Sequence, residues 1–414
     1  MSRIDDLIDE YCPNGVEFIA LHELFVTKNG YTPSTTNKSY WTDGTVPWFR
    51  MEDIRENGQI LGSSLQQITE EAVKGGRLFP ANSIIVATSA TIGEHALITV
   101  PHLSNQRFTS LALKSEFSEL LDMRFVYYYC FVLDEWCKIN TTTSSFASVD
   151  MSGFKKFRFP IPPLEVQREI VKVLDTFTKL EAELEAELEA RRRQYKYYRD
   201  ALLTFGERTD AEASKQAISI KWVTLNEVAT FKYGFTTKAT NMGDFRFIRI
   251  TDITEGGKLS PVDIKYVDSA EDASDYLVQR GDVLMARTGA TFGKSVLITE
   301  DMPAIYASFL IRIRFKDEDI LPSYYWHFAQ SSFYWQQANN MVSTGGQPQF
   351  NANVLKDIRL PVPPLDEQAR IVAILDKFDA LVNDLSSGLP AEIKARRQQY
   401  EHYRDRLLTF REAA

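Results

Sequence analysis

Two long stretches of the chain place apolar residues at every third or fourth position. In the first these are Val166, Ile170, Leu174, Phe177, Leu180, Leu184, Leu188, Tyr195, Tyr198, Leu202 and Phe205. In the second they are Ile371, Leu375, Phe378, Leu381, Leu385, Ile393, Tyr400, Tyr403, Leu407 and Phe410. Such a narrow stripe is the seam of a helix that packs on a partner helix, as in a coiled coil. Each stretch follows Pro-x-Pro-Pro-Leu (residues 160–164 and 361–365). That lead-in is extended, because proline has no N–H to give and restricts the residue before it. A single helix over 164–205 would run about 63 Å at roughly 1.5 Å per residue, too long to be stable alone on so narrow a stripe. The two copies are therefore expected to lie antiparallel about a pseudo-twofold axis; the competing arrangement docks each on its own domain.

Within the first stretch, Leu-Glu-Ala-Glu recurs over residues 180–190. Each four-residue unit rotates the leucine stripe by about 40°, as a stutter does. Glu181, Glu185 and Glu189 repel one another, whereas Glu187–Arg191 and Glu189–Arg193 attract. The run reads as a solvated face, with a face toward a basic partner, or one holding the rod off nucleic acid, as alternatives. The second stretch has Ser386, Ser387, Gly388, Leu389 and Pro390 at this place. These predict a break or kink, with Pro390 in the first turn of a new helix.

The helical copies are part of a larger repeat. Residues 157–205 and 358–410 agree at both ends, and weaker echoes lie upstream: WFRMEDI at 48–54 against FIRITDI at 247–253, ATIG at 90–93 against ATFG at 290–293. The chain thus divides into a globular unit (1–158), a helical spacer (159–210), a second globular unit (211–359) and a second spacer (360–414). Strands at 83–88 and 282–287 and helices at 124–137 and 322–339 make each globular unit α+β.

A length of 414 residues suits two domains with connecting helices, and 44% hydrophobic with 25% charged residues is a globular composition. The acidic start has no signal-peptide core, and no apolar run reaches the roughly 18 residues of a membrane span, so a cytoplasmic protein is expected. Cys12, Cys130 and Cys137 read as reduced, buried thiols. The five histidines have no ligand spacing, and no metal site is expected. The net charge of −9 argues against a protein that coats nucleic acid by itself.

The order of elements, the paired Pro-Pro-Leu motifs followed by Gln167 and Gln368, the helix ends of the type ARRQQYEHYRDRLLTF and the Leu-Glu-Ala-Glu repeat resemble the specificity subunits of type I restriction–modification enzymes, most of all the IC class. The resemblance spans nearly the whole chain, and is specific in the helical blocks and weak in the globular units. It implies a non-catalytic subunit with two target-recognition domains, folded like those of adenine-specific type II methyltransferases. Each would read one half of an asymmetric, bipartite double-stranded DNA site. It further implies two methyltransferase subunits along the helices, bringing their own S-adenosylmethionine, and endonuclease/translocase subunits using ATP and Mg. The chain itself would bind no cofactor.

A base reader needs hydrogen-bonding side chains on loops beside cations that hold phosphates. In the first unit the candidates are Tyr31, Lys38, Thr88, Ser89, Thr91, Thr142 and Ser144. In the second they are Lys232, Tyr233, Lys238, Arg287, Thr288, Thr291, Lys294, Gln347, Gln349 and Asn351. Gln347, Gln349 and Asn351 have the amide pattern that pairs with adenine edges. The helix seam and partner interface would be formed by Ile170, Leu174, Phe177, Leu184, Leu188, Tyr195, Tyr198, Ile371, Leu375, Phe378, Leu385, Tyr400, Tyr403 and Leu407.

Three catalytic signals fail on inspection. DVLMARTGATFGKS at 282–295 resembles a strand leading into a P-loop, but its glycine is one residue late, and the matching stretch has Glu94 and His95 for Lys294 and Ser295. The Pro-Pro pairs lack the polar and aromatic flanks of an amino-methyltransferase site. Asp263 and Lys265 hint at a nuclease, but no second acidic pair precedes them. A helix-mediated adaptor that never touches DNA remains the alternative in another class.

Overall fold

The computed structural model describes residues 3–142, 147–205, 220–268, 273–288, 292–341, 351–384 and 386–413. The first half runs α1 (Arg3–Tyr11), β1 (Glu17–Ala20), α2 (Leu21–Leu24), β2 (Phe25–Asn29), β3 (Val46–Phe49), α3 (Met51–Asn57), β4 (Ile60–Leu61), β5 (Gln67–Ile68), β6 (Ser83–Ala87), β7 (His95–Ile98), β8 (Leu103–Ser104) and β9 (Phe108–Leu113). It continues with α4 (Met123–Ile139), β10 (Thr141–Thr142), β11 (Ser148–Val149), α5 (Met151–Lys156), β12 (Arg158–Ile161) and α6 (Leu164–Leu203). The second half repeats the order with β13 (Lys221–Thr224), α7 (Leu225–Val228), β14 (Ala229–Tyr233), β15 (Phe245–Ile248), β16 (Tyr266–Val267), β17 (Val283–Ala286), β18 (Ser295–Leu297), β19 (Ala304–Tyr306) and β20 (Leu310–Phe315). It ends with α8 (Pro322–Phe328), α9 (Ser332–Met341), α10 (Ala352–Asp357), β21 (Arg359–Val362), α11 (Leu365–Asn383) and α12 (Leu389–Leu407).

These elements form two compact units, Met1–Glu181 with Arg396–Ala414, and Ala182–Ala395. Unit 1 is built on a five-stranded sheet ordered β2-β9-β6-β7-β4, unit 2 on a four-stranded sheet ordered β14-β20-β17-β18. Each also has a three-stranded sheet (β5-β3-β8 and β16-β15-β19) and a two-stranded ribbon (β1-β12 and β13-β21). Residues 84–87 of β6 and 283–286 of β17 are apolar because both faces of these two central strands are covered. On β6, Ile84 and Val86 join the core under α4, while Ile85 and Ala87 join a second core with Phe49 and Ile54. On β17, Val283 and Met285 face one core and Leu284 and Ala286 the other. This is the period of two of a strand.

The helical blocks are shared between the units. Residues 164–181 of α6 and 396–407 of α12 belong to unit 1; 182–203 of α6, α11 and 389–395 of α12 belong to unit 2. In unit 1, Ile170 and Leu174 enter the domain core. Phe177 stacks on Tyr403 at 5.4 Å and lies 6.4 Å from Tyr400, and Glu181 pairs with Arg397. Ascending numbers on α6 thus meet descending numbers on α12, which is the antiparallel seam. In unit 2, Tyr195 and Tyr198 stack on Phe378 at 6.2 and 5.3 Å, and Leu188, Ile371, Leu375 and Ile393 share one core with Leu184 against it. Leu407 is buried in unit 1, and Leu385 lies outside the described residues. The helices meet each other as the antiparallel reading expects, not as two separate helices, and they pack on the domain cores as well.

The break in the second block falls where expected, between α11 and α12. Asp384 accepts hydrogen bonds from the Ser386 N–H at 2.7 Å and from the hydroxyls of Ser386 and Ser387 at 2.6 and 2.8 Å. These hold its carboxyl down at about 2. Gly388 is required, because a Cβ there would lie 2.4 Å from the Ala380 carbonyl oxygen. The expected helix at 322–339 is instead two helices. The Ser331 hydroxyl donates to Phe328 O at 2.7 Å and accepts from Tyr334 N at 3.2 Å, which ends one helix and caps the next.

The Pro-Pro-Leu motif has a structural use. Gln167, fully buried, accepts from Asp122 N at 2.8 Å and donates to Leu120 O and Pro162 O, both at 2.7 Å. Gln368 repeats this with Leu321 N at 2.9 Å, Asp319 O at 2.8 Å and Pro363 O at 2.9 Å. Each glutamine thereby ties the start of a long helix to the loop before the domain's own helix. All three cysteines are buried free thiols, and burial raises the Cys137 thiol to about 12.

Candidate nucleic-acid interface

The loops of each unit emerge together from one end of its main sheet. In unit 1, β2 ends at Asn29 opposite Thr109, and β6 ends at Ala87 opposite Phe108. Hydrogen bonds extend this end outward. Gly30 N donates to Phe108 O at 3.0 Å, Tyr31 N to Ser104 O at 2.8 Å and Val149 N to Thr88 O at 2.9 Å, and the Thr32 hydroxyl reaches Gln106 Oε1 at 2.5 Å. Gly30 allows this close crossing, since a Cβ would stand 2.2 Å from the Ser104 and Asn105 carbonyl oxygens. Gly234 does the same against Ala307 O at 2.2 Å in unit 2. There Phe235 N donates to Tyr306 O at 2.7 Å, Arg287 N to Phe309 O at 3.1 Å and Ala352 N to the Tyr233 hydroxyl at 3.0 Å. Segments far apart in sequence are thus brought to one end of the main sheet in each unit.

The candidate side chains divide by what they touch. Tyr31 is engaged within the fold, its hydroxyl donating to Ala72 O at 3.1 Å and accepting from Lys74 N at 2.6 Å. Thr88 is buried, its hydroxyl 3.0 Å from that of Thr109. Lys232 pairs with Asp275 at 3.1 Å and lies over the Tyr276 ring, and Asn351 caps α10 by accepting from Asn353 N and Val354 N at 2.9 and 3.1 Å. These four are held in internal contacts that compete with a base or a phosphate. Ser89 is half-buried in a bridge to Ser148, the Thr91 hydroxyl is buried, and Thr142 bonds the Ser148 hydroxyl at 2.9 Å. Lys38 and Lys238 are exposed; Thr288 and Lys294 are half-buried. Arg287 stacks over Tyr233 and Phe309, 5.1 and 5.8 Å from the ring centroids. Ser144, Thr291, Gln347 and Gln349 lie outside the described residues.

Sequence reasoning missed two positions. The turn before β9 carries exposed Arg107; at the same place before β20 stands Phe309, 52% exposed. Here the two units share a backbone course but differ in chemistry, so no sequence echo marks the pair. Reasoning from residue type also missed a cleft of about 420 Å³ in unit 1 lined by Thr32, Lys38, Trp41, Trp48 and Arg50.

The catalytic decoys resolve into structural roles. Asp263 is held low by Lys265 at 2.6 Å and by Arg249 at 3.3 Å, an ion cluster on the surface. Where the P-loop-like stretch has Ser295, unit 1 places His95, bonded to buried Asp134 at 2.6 Å. Gly293 has φ +77° and packs under Trp335, where a Cβ would meet the ring at 2.2 Å.

The chain is an α+β unit built twice, with different side chains offered from equivalent loops, the plan of a two-part recognition protein. The chain matches the type I restriction modification DNA specificity domain over residues 13–190 and again over 219–395, and it belongs to that family. It is 43% identical over 383 residues to the EcoprrI type I specificity subunit of Escherichia coli, covering 90% of this chain and 89% of that one. The EcoR124I/EcoR124II specificity subunit of Escherichia coli is 34% identical over 321 residues, 70% of this chain and 71% of its own. A solved structure from work on assembly and conformational transition of the type I system aligns with a TM-score of 0.62 at 17% identity, covering 96% of this chain and 98% of that one. At that identity it supports the fold. The protein is thus a non-catalytic DNA-specificity subunit of a type I restriction–modification system. Among the described residues no helix is long and apolar enough to cross a membrane.

Proposed function

We propose that each globular unit reads one half of an asymmetric bipartite DNA site with the loops at the end of its main sheet. On this reading residues 1–158 and 211–359 are the two target-recognition domains, and 159–210 and 360–414 are spacers. The observation that carries it is the convergence of candidate loops on one surface per unit, with Arg107 in one and Phe309 in the other at the same turn. Arginine suits bidentate contact to guanine, and an exposed phenylalanine suits a thymine methyl or a base step. Lys38, Lys238, Arg287 and Lys294 would neutralise phosphates, while Ser89, Thr91, Thr142, Ser144, Thr288, Thr291, Gln347 and Gln349 are left as base or backbone contacts.

The same proposal gives the helices two tasks. Their length sets the unspecified spacer between half-sites, and their exposed faces, including Tyr198 and Tyr403 at 39% and 41% exposure, recruit two methyltransferase subunits. Those subunits bring S-adenosylmethionine and methylate an adenine in each half-site; endonuclease/translocase subunits bring ATP and Mg. Assembly takes place in the cytoplasm. The chain's net charge of −9 fits a reader whose partners supply much of the phosphate neutralisation.

The test is binding and methylation together. The purified chain alone should bind DNA weakly, and its complex with the cognate methyltransferase should bind one bipartite site tightly. Mapped methyladenines in cells carrying both should define that site. Equal affinity of the complex for target and random DNA would leave the helix-mediated adaptor instead.

A further inference from the structure

The two units differ most sharply around one pair of equivalent arginines. In unit 2, Arg249 is neutralised twice: its guanidinium donates to Asp252 at 2.7 and 3.2 Å and to Asp263 at 3.3 Å. In unit 1 its counterpart is Arg50. Asp53, the equivalent of Asp252, accepts the Arg50 N–H at 2.7 Å as Asp252 accepts that of Arg249 at 2.8 Å, but its other oxygen takes the Leu65 N–H at 2.6 Å in place of a guanidinium. The place of Asp263 is taken by Ser64, whose hydroxyl donates to Gln66 O at 2.6 Å. Arg50 is left with one loose carboxylate, Glu52 at 3.9 Å, and its Nε is buried without a hydrogen-bond partner among the described residues.

The guanidinium lines a cleft that unit 1 builds from a longer loop. Between the equivalent glycines Gly30 and Gly234 and the arginines, unit 1 carries more residues than unit 2, and the extra length forms a turn of 3₁₀ helix at Lys38–Trp41. That turn brings Lys38 and Trp41 into the lining beside Trp48 and Arg50. Trp41 is half-buried, fixed by its indole N–H to Ser34 O at 3.0 Å and packed edge-to-face on Trp48 at 4.9 Å. Threonines 32, 35 and 42 and Gln66 complete the wall, and none of the lining residues is acidic. At about 420 Å³ the cleft is within the range of roughly 300–1,000 Å³ that takes a small ligand.

A lysine, an arginine whose nearest carboxylate stands off at 3.9 Å, an indole and threonine side chains together recognise one chemical class: a planar base carrying a phosphate. We propose that this cleft is a nucleotide site, holding the ring against Trp41 and the phosphate between Arg50 and Lys38. The ligand is either an unstacked nucleotide of bound DNA, which the Thr32–Gln106 contact places beside the candidate interface, or a free mononucleotide. The site does not depend on which bases the loops read, so it stands or falls apart from the bipartite-site proposal.

The experiment uses the full chain and needs no target sequence. Calorimetric titration with dTMP is compared with thymidine and with inorganic phosphate. In a parallel arm, a duplex with one bulged nucleotide is compared with the flush duplex. Expected is a preference for dTMP over both fragments, for the bulged duplex over the flush one, or for both. Trp41→Leu and Arg50→Met should each weaken the preferred ligand about tenfold. Glu52→Gln should strengthen it, a change that damage to the fold would not produce. Preference in the duplex arm alone names DNA as the source, and preference in the dTMP arm alone names a free nucleotide. No preference in either arm, or preference unmoved by Arg50→Met in a chain with unchanged melting, overturns the site.

Discussion

His102 should make unit 1 sensitive to acid in a calculable way. Its ring sits between Phe49 and Phe79, edge-on at 5.5 Å to each, and is fully buried. Nδ1–H donates to Val100 O at 3.0 Å, so Nε2 is the bare nitrogen, and it is buried without a partner. Protonation would place a charge among aromatic rings. Burial pushes the imidazole down to about 4 from 6.5, a shift only partly offset by the Val100 carbonyl. A folded-state value below the unfolded one means that the unfolded chain takes up the proton first as pH falls. The full stability is present above 6.5 and is lost through the window from 6.5 to about 4. At ~1.4 kcal/mol per unit, the loss is about 2 kcal/mol at pH 5 and approaches about 3 kcal/mol near pH 4. Because two units need not unfold together, the assay is hydrogen exchange on peptides spanning 95–113 between pH 7.5 and 5, corrected for intrinsic rates. His102→Asn lowers stability at every pH but removes this proton. The wild type should lose about 2 kcal/mol more than the variant between pH 7 and 5. Parallel profiles for the two proteins would refute the assignment.

Other outcomes follow from features described above. Gln167→Leu strands Asp122 N, Leu120 O and Pro162 O, and should destabilise unit 1 by roughly 3 kcal/mol while peptides of unit 2 keep their exchange protection; Gln368→Leu should do the reverse. Arg107→Ala should relax discrimination in one half-site by about 1–3 kcal/mol, and Phe309→Ala should weaken the other half-site alone, as read by competition with single-base-substituted targets. Deletion of residues 184–187 removes about 6 Å of helix, so methylation mapping should report a spacer shorter by one or two base pairs; an altered half-site would contradict the spacer role.

Much of the architecture was legible because it rests on periodicity. The 3.6-residue stripe located α6, α11 and α12, the Ser-Gly-Leu-Pro run located the break, and the internal repeat required that one unit's topology recur. The glutamine after Pro-Pro-Leu was visible as a motif, but its use was hidden, since its three partners lie on segments more than forty positions away or on the motif itself. The loops were found by their hydrogen-bonding and cationic side chains, the chemistry a base reader needs. Which loop residues face outward was not legible. Thr88, Asn351 and Lys232 look the same in sequence whether they serve a ligand, a cap or an ion pair. Arg107 and Phe309 were invisible for the opposite reason: equivalence of backbone does not require likeness of side chain. The division of α6 between two units was also unreadable, because a continuous helix carries no mark where its packing changes partners.

The end of the chain returns to its beginning. Val16 N donates to Arg411 O at 2.9 Å, Ala413 N donates to Val16 O at 2.9 Å, and Arg158 pairs with Glu412 at 2.5 Å. Unit 1 is therefore completed only by residues 396–413, a closing segment made after every residue of unit 2. A premature stop just past residue 395 would spare the unit that immediately precedes it and cripple the one built mostly from residues far upstream.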